Sequence, residues 1–237
     1  MDNLQPVLTA VDIHRTFATT ETELQVLKGV YLDVKPAEMV AVTGVSGVGK
    51  STLLHILGGL DRPTSGSARI GDTELASKSE TELAHLRNQK VGFVFQFHYL
   101  LEDFTALENV MMPMLVSRKP WEISRKRAEQ LLEQVGLKDR RSHRPRQLSG
   151  GEQQRVAVAR ALANDSEIVM ADEPSGNLDI NTGRKLHDLL FELNQSNKTT
   201  FLIATHNREL AERCHRELEI VDGKTIERRA RKGPKIG

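Results

Sequence analysis

The 237-residue chain has one cysteine, Cys214, ten aromatic residues and no excess of either charge, with 33 basic and 32 acidic side chains. A single cysteine cannot form an intramolecular disulfide, which favours a reducing, cytosolic setting. The charge balance gives no electrostatic case for nucleic-acid binding, so we expect no nucleic-acid partner. No apolar run approaches the roughly 20 residues that span a bilayer, and MDNLQPVLTAVD at the amino terminus lacks a secretory-signal pattern. These absences favour a soluble protein, which would work at a membrane only through a partner.

The few aromatic residues are concentrated in one segment. Residues 92–104, GFVFQFHYLLEDF, contain five of the ten and surround a single amide, Gln96. The phenylalanines before Gln96 fit the core of a strand. Because the apolar side chains cannot all face inward, we expect Tyr99, Leu100 and Leu101 to contact another protein.

Strand and helix patterns alternate along most of the chain. Met39–Val42 is a compact apolar run that leads through glycines into the helical pattern STLLHILGGL. A polar loop, Ala18–Glu23, separates the first two strand patterns, and an Asp222–Gly223 turn closes a last hairpin. From about residue 100 to residue 164 the pattern is helical. The predicted fold class is α/β, with a mostly parallel sheet, an antiparallel β start and a helical insert.

The segment GVSGVGKST matches G-x-x-x-x-G-K-[ST] where a predicted strand becomes a helix. Its glycines let successive backbone N–H groups converge on phosphate oxygens, and the helix presents its positive end to the same anion. Lys50 would contact the β- and γ-phosphates, and the Ser51 hydroxyl would bind Mg²⁺. The predicted phosphate-binding residues are Gly44, Val45, Ser46, Gly47, Val48, Gly49, Lys50, Ser51 and Thr52.

A second apolar run, IVMADEP, delivers two carboxylates to the end of a predicted strand. Asp172 is positioned to hold Mg²⁺, directly or through water. Glu173 would face the γ-phosphate and act as the general base that orients the attacking water.

A third motif, LSGGEQQR, predicts a second anion-binding site about a hundred residues after the first. Ser149 is a natural N-cap, and the two glycines after it expose the backbone N–H groups of a helix start. One γ-phosphate cannot easily use two such sites of the same chain, so we expect this one to close on ATP held by another subunit. The predicted nucleotide contacts here are Ser149, Gly150, Gly151 and Glu152.

These motifs, in this order, resemble those of the ATP-binding-cassette (ABC) ATPases over about residues 7–228. The resemblance implies that Gln96 senses the γ-phosphate and Mg²⁺, that His206 contacts the γ-phosphate, and that Asp179 in SGNLD lies at the seam of a homodimer. Phe17, in the first hairpin, is the candidate for stacking on the adenine of ATP.

The resemblance also implies an organisation. Residues 1–237 would form one ABC ATPase domain, with a RecA-like P-loop NTPase core and β subdomain (1–96 and 165–237) and a helical subdomain (about 97–164). The basic residues 229–237 are expected to form a flexible tail.

Longer segments narrow the resemblance. HLRNQKVGFVFQFHYLLEDFTALENVMMPM, LLHILGGLDRPTSG and ADEPSGNLD are similar to the ATPases of lipoprotein-releasing systems. That similarity implies two integral membrane subunits docked near residues 97–112, no direct cargo contact, and a place at the cytoplasmic face of a bacterial inner membrane. A MacB-like efflux ATPase, an FtsE-like cell-division ATPase and a soluble, non-transport ABC ATPase are the alternatives.

Overall fold

The computed structural model describes residues 5–18 and 23–230, without the side chains of residues 229 and 230. The strands of this part are β1 (Leu8–Ala18), β2 (Glu23–Val34), β3 (Met39–Thr43), β4 (Ser65–Ile70), β5 (Thr73–Glu74), β6 (Val91–Val94), β7 (Ile168–Asp172), β8 (Phe201–Ala204), β9 (Arg216–Val221) and β10 (Lys224–Ala230). The helices are α1 (Lys50–Leu57), α2 (Glu80–Lys90), α3 (Ala106–Val116), α4 (Trp121–Gln134), α5 (Gly150–Ala161), α6 (Ile180–Asn197) and α7 (Arg208–Arg213).

The central sheet has the strand order β10-β9-β3-β8-β7-β6. Strands β9, β3, β8, β7 and β6 run parallel to one another, and β10 is antiparallel to β9. The predicted Asp222–Gly223 turn joins β9 to β10, with Lys224 paired to Val221 across it. Because β3 and β7 both belong to this parallel sheet, the phosphate loop and the two carboxylates lie at the carboxyl ends of strands that point the same way.

A second, antiparallel sheet has the order β2-β1-β4-β5, as expected for the start of the chain. Ala18 pairs with Glu23, so β1 and β2 form the predicted hairpin. Residues 19–22 of its polar loop lie outside the described part. Strand β4 passes close to β1 at Gly66, where an added Cβ would lie 2.1 Å from the Asp12 carbonyl oxygen.

The core consists of two apolar layers on opposite faces of the central sheet. Along β3, Met39 and Ala41 belong to one layer, and Val40 and Val42 belong to the other. This alternation is the period-two geometry of a strand buried on both faces. The first layer includes α3–α6, and the second includes α1, α2 and the antiparallel sheet.

Helices α3, α4 and α5 lie within the residues predicted to form the helical subdomain. Helix α2 was not predicted, although Ser79 and Glu82 form a reciprocal capping box at its start. At the other end of the chain, β10 continues to Ala230, two residues into the segment predicted as a tail; residues 231–237 lie outside the described part. Within residues 5–18 and 23–230, no helix combines the length and apolarity needed to span a membrane.

Candidate active site

The phosphate loop runs from β3 into α1 with three glycines in left-handed backbone conformations. Gly44, Gly47 and Gly49 have φ values of 141°, 77° and 110°, which side-chain-bearing residues rarely adopt. Gly49 also packs against β2, where an added Cβ would lie 2.7 Å from Val26 Cγ1. The loop therefore needs glycine at these positions, as its sequence pattern predicts.

Lys50 closes over this loop. Its Nζ donates hydrogen bonds to the carbonyl oxygens of Gly44, at 3.0 Å, and Val45, at 3.2 Å. The Val45 side chain is 76% exposed, and Val48 packs against the core layer that contains α1. Both valines thus contribute backbone to the loop while their side chains point elsewhere. This explains how the motif tolerates them.

Glu173 is held by contacts on three sides at the end of β7. Its Oε2 lies 2.9 Å from His206 Nδ1, its Oε1 lies 4.0 Å from Lys50 Nζ, and its amide donates to the Ala204 carbonyl oxygen at 2.8 Å. The backbone of Glu173 has φ = 45°, an uncommon conformation outside glycine. Such strain persists where the surroundings over-determine it, often at functional sites. The structure therefore brings Lys50 and His206, two further predicted catalytic residues, into contact with Glu173.

Asp172, the residue before Glu173, is partly buried. Burial raises the pKa of its carboxyl group, and a hydrogen bond with the Ser51 side chain opposes that shift. Its Oδ1 is buried without a hydrogen-bond partner among the described residues. A carboxylate with an unsatisfied oxygen next to a hydroxyl suits a hard cation such as Mg²⁺. The described residues contain no cluster of three or more His, Cys, Asp or Glu that could hold a metal.

Gln96 follows β6 and is fixed by a residue that the sequence reasoning missed. Gln96 Nε2 donates to Asn177 Oδ1 at 3.0 Å, and Asn177 Nδ2 donates back to the Gln96 carbonyl oxygen at 3.1 Å. Gly176 makes room for this pair, because an added Cβ would lie 3.0 Å from Gln96 Nε2. Asn177 belongs to the quoted SGNLD segment, but no pattern in the sequence pairs it with a glutamine 81 residues away.

The pocket at the phosphate loop collects most of these groups. Its lining residues are Val26, Ser46, Gly47, Gly49, Lys50, Ser51, Thr52, Gln96, Glu173 and His206. Gly44 and Val45 line a neighbouring pocket that also reaches His206. Val26 was not predicted and comes from β2. Among the described residues that line the main pocket, none belongs to the 149–152 segment.

That segment forms the capped start of α5. Ser149 Oγ accepts from the Glu152 amide at 3.3 Å, and the Glu152 carboxylate accepts from the Ser149 amide at 2.8 Å. The predicted N-cap is therefore confirmed. Glu152 also pairs with Arg140 at 2.9 Å; the Ser149 amide and the Arg140 guanidinium hold the pKa of its carboxyl group below the usual range. Both of its oxygens are thus engaged locally, and its nucleotide contact stays a prediction.

The two glycines of the segment differ in their surroundings. At Gly150 an added Cβ would meet only Leu178 Cδ2, at 3.7 Å, so the site is open. At Gly151 an added Cβ would lie 2.3 Å from Thr182 Cγ2, so this glycine lets α5 pack against the first turn of α6. Asp179 caps α6 by accepting from the amides of Asn181 and Thr182. Hydrogen bonds, that with the Thr182 side chain first, hold the pKa of Asp179 below its ordinary value.

Phe17 lies on the first hairpin, where the Arg15 guanidinium sits 4.5 Å from its ring centroid. The ring is 38% exposed, so it is not a core residue. Phe17 does not line the phosphate pocket, and its stacking on adenine stays a prediction.

Three rings of the aromatic segment pack together, and the exposed side chains of Phe97, Tyr99 and Leu101 form what we call the exposed tip. The Phe93 and Phe95 rings stack at 5.5 Å, and Tyr99 meets Phe95 edge-on at 5.5 Å. These three rings line a groove of about 400 Å³ that Pro113 and Arg160 also border. Tyr99 and Leu101 are exposed, as predicted for contact residues. Leu100 is partly buried and packs against the core, and its contact with another protein stays a prediction.

Comparison with known proteins agrees with this geometry. The family model described as "ABC transporter" matches residues 27–176. The lipoprotein-releasing system ATP-binding proteins LolD of Cytophaga hutchinsonii and Alcanivorax borkumensis are 48% and 50% identical to the chain. Both alignments cover 94% of this chain, and 100% and 98% of those proteins.

Among solved structures, the dimeric bacterial ABC transporter cassette MJ0796 has a TM-score of 0.86 at 39% identity, covering 94% of this chain and 99% of its own. A dimeric post-hydrolysis state of the same cassette, bound to ADP and phosphate, has the same score and coverage. These similarities confirm the predicted P-loop NTPase fold. The chain belongs to the ABC transporter family and is an ABC-type ATPase, which binds and hydrolyses ATP.

Proposed function

We propose that this chain is the ATPase subunit of a lipoprotein-releasing ABC transporter, in which it powers the removal of acylated lipoproteins from a bacterial inner membrane. The observation that carries the proposal is 48–50% identity to proteins named LolD over 94% of the chain. The chain would act at the cytoplasmic face of that membrane as a peripheral subunit. It would not touch the cargo.

The proposed chemistry is attack of water on the γ-phosphorus of ATP, with rupture of the bond to ADP and release of inorganic phosphate. Glu173 accepts a proton from the water, and His206 orients the Glu173 carboxylate through its 2.9 Å contact. Lys50, 4.0 Å from Glu173, neutralises β- and γ-phosphate charge once ATP displaces its bonds to the loop carbonyls. General-base catalysis is worth about 10²–10⁴-fold in rate, so the Glu173→Gln variant should turn over at least a hundredfold more slowly.

Mg²⁺ is part of the proposal. Ser51 and Asp172 would hold it, with Gln96 nearby, since the buried Asp172 Oδ1 has no partner among the described residues. When bound, Mg²⁺ neutralises charge that develops on the phosphate oxygens. Gln96, whose side chain is held by Asn177, would contact Mg²⁺ and sense the γ-phosphate.

The proposed assembly is a head-to-tail homodimer around two ATP molecules. None of the described residues that line the phosphate pocket is Ser149, Gly150 or Gly151. The open N–H groups at Gly150 would bind the ATP held by a second chain. The dimeric MJ0796 cassettes support this arrangement, and Asp179 would lie at the seam.

Two integral membrane subunits, like those called LolC and LolE, would dock near residues 97–112. The support is the exposed tip of the aromatic segment, where Phe97, Tyr99 and Leu101 are 61%, 67% and 42% exposed. Exposed aromatic and leucine side chains of this kind anchor protein interfaces. A MacB-like efflux complex, an FtsE-like division complex or a soluble assembly is the alternative occupant of this surface.

The experiment is affinity capture of the Glu173→Gln variant from its native host, in detergent with ATP and Mg²⁺, followed by mass spectrometry. Two polytopic subunits with bound acylated lipoprotein are the expected partners, and Tyr99→Asp or Leu101→Asp should abolish their capture. Val11→Asp, which changes an exposed apolar side chain on β1, is the matched control and should leave capture intact. Recovery of efflux or division subunits would overturn the lipoprotein assignment, and recovery of the chain alone would overturn the transporter assignment.

A further inference from the structure

Helix α5 binds the backbone on both sides of Gln96. Gln154, which is fully buried on this helix, donates from Nε2 to the Phe95 carbonyl oxygen at 2.9 Å. That bond fixes the orientation of the amide, so Gln154 Oε1 faces His98 Nδ1 at 2.6 Å and His98 must donate from this nitrogen. One buried amide therefore bridges the residue before Gln96 and the second residue after it.

Arg160 adds a two-pronged contact from the last turn of the same helix. Its two terminal nitrogens donate to the carbonyl oxygens of Tyr99, at 2.7 Å, and His98, at 2.8 Å. Burial lowers the pKa of the Arg160 guanidinium. A desolvated guanidinium that spans two adjacent carbonyls fixes both position and direction, because its donors form a rigid fork. It holds Tyr99 at φ = 45°, a strained conformation for a bulky residue.

The opposite side of Gln96 is bound by a different part of the chain. Asn177, in the loop between β7 and α6, accepts a hydrogen bond from the Gln96 side-chain amide and donates one to the Gln96 backbone carbonyl. Gln96 is therefore bound on one side by Asn177, in the loop after β7, and its flanking residues are bound on the other side by Gln154 and Arg160 of α5. The same α5 begins at the Ser149 cap.

We propose that Gln154 and Arg160 are positioning residues that make the segment 95–99 and the Ser149 end of α5 move as one body. A displacement of the exposed tip would then move both Gln96 and the anion-binding start of α5. This inference rests on the proposed role of Gln96 in sensing the nucleotide. It predicts that loss of either side chain loosens Gln96 without removing any group that touches ATP.

A purely structural role would have a different signature. Buried carbonyls need hydrogen-bond partners in any protein, and removal of those partners lowers stability. Arg155 provides the matched control, because it lies on the same helix and its guanidinium donates to the Val135 carbonyl oxygen at 3.2 Å, away from residues 95–99. Arg155→Met should lower stability to a similar degree but leave the Gln96 segment ordered.

The test uses a nitroxide attached at Phe97→Cys, an exposed position beside Gln96. Cys214 is buried and its thiol pKa is raised to about 12, so the label reacts at position 97 alone. We expect Arg160→Met and Gln154→Leu to raise label mobility and to lower kcat by about tenfold to a hundredfold, with KM for ATP changed by less than about threefold. Arg160→Lys, which keeps one donor group for these carbonyls, should fall between these variants and the parent protein.

Unchanged mobility at position 97 in both Arg160→Met and Gln154→Leu would overturn the proposal, as would an equal loss of kcat in Arg155→Met. If a variant does not fold, the other variant and Arg160→Lys still decide. All measurements use the full chain with ATP and without membrane subunits. A failure here is therefore separate from a failure to capture lipoprotein-releasing partners.

Discussion

The buried amide of Asn109, on α3, supports the part of the exposed tip that contains Leu101. Asn109 Nδ2 lies 3.1, 3.1 and 3.0 Å from the carbonyl oxygens of Leu101, Phe104 and Thr105, and its Oδ1 accepts from the Leu101 amide at 2.8 Å. Asn109 is fully buried. Replacing it by alanine removes these bonds together.

The size of the effect follows from the number of bonds. The Nδ2 group has two hydrogens, so two of the three carbonyl contacts can be at full strength at once. With the Leu101 amide, three bonds at about 1 kcal/mol each give about 3 kcal/mol. The Phe104 carbonyl is next to exposed side chains and can regain water, so we expect Asn109→Ala to lower the free energy of unfolding by about 2–3 kcal/mol.

Urea unfolding followed by circular dichroism measures this difference directly. For a chain of 237 residues, about 3 kcal/mol corresponds to a fall in Tm of about 6–12 °C. Gln130→Ala, which removes an exposed amide from α4, is the control and should change stability by less than about 0.5 kcal/mol. A loss below about 1 kcal/mol in Asn109→Ala would refute the claim that this amide supports the tip.

Three further predictions concern other parts of the chain. Asn177→Ala should lower kcat about tenfold in phosphate-release assays while ATP binding persists, because Gln96 loses the partner that orients it; unchanged kcat would contradict that role. Glu82 has its pKa lowered to about 2 from 4.5, chiefly by its hydrogen bond to the Ser79 amide, so its stabilising effect is present above pH 4.5 and lost as pH falls toward 2. Urea unfolding of Glu82→Gln should show a deficit against the parent protein at neutral pH that shrinks toward pH 2; a pH-independent deficit would count against the cap. Cys214, buried with a thiol pKa of about 12, should resist thiol reagents at mildly alkaline pH in native protein and react fully in urea, whereas rapid native reaction would mean that the α7 end opens.

The phosphate loop and the paired carboxylates could be predicted from sequence because the order and spacing of their residues indicate both the backbone conformation and the chemical groups. The glycines at 44, 47 and 49 mark the left-handed positions of the loop directly in the motif. The apolar run before Asp172 indicates that a buried strand delivers it. In both cases the information is local, and local patterns survive folding.

The partners of these groups could not be predicted, because they depend on packing between distant elements. Gln96 and Asn177 are 81 residues apart, and Arg160 reaches carbonyls 61 and 62 residues away. Carbonyl acceptors have no sequence signal at all, since every residue has one. The partial burial of Leu100 against the core could not be predicted for the same reason, because it depends on how the segment packs.

Helix α2 is a different kind of omission. Its Ser79 and Glu82 follow the S-x-x-E capping pattern that marks a helix start, so the signal was present. The helix has few apolar residues, with Leu83 and Leu86 buried, and its weak periodicity hid it. Capping patterns would have found this element where hydrophobic periodicity could not.

The central claim is that one chain supplies the phosphate pocket and a second chain supplies the open helix start at Gly150. Sedimentation velocity of the Glu173→Gln variant with ATP and Mg²⁺ tests it most directly. We expect a dimer that dissociates when ATP is removed, and a monomer for the double variant that adds Gly150→Asp, whose new carboxylate repels the γ-phosphate while remaining compatible with a helix start. A dimer that persists in the double variant, or a monomer in Glu173→Gln at saturating ATP, would contradict the shared site.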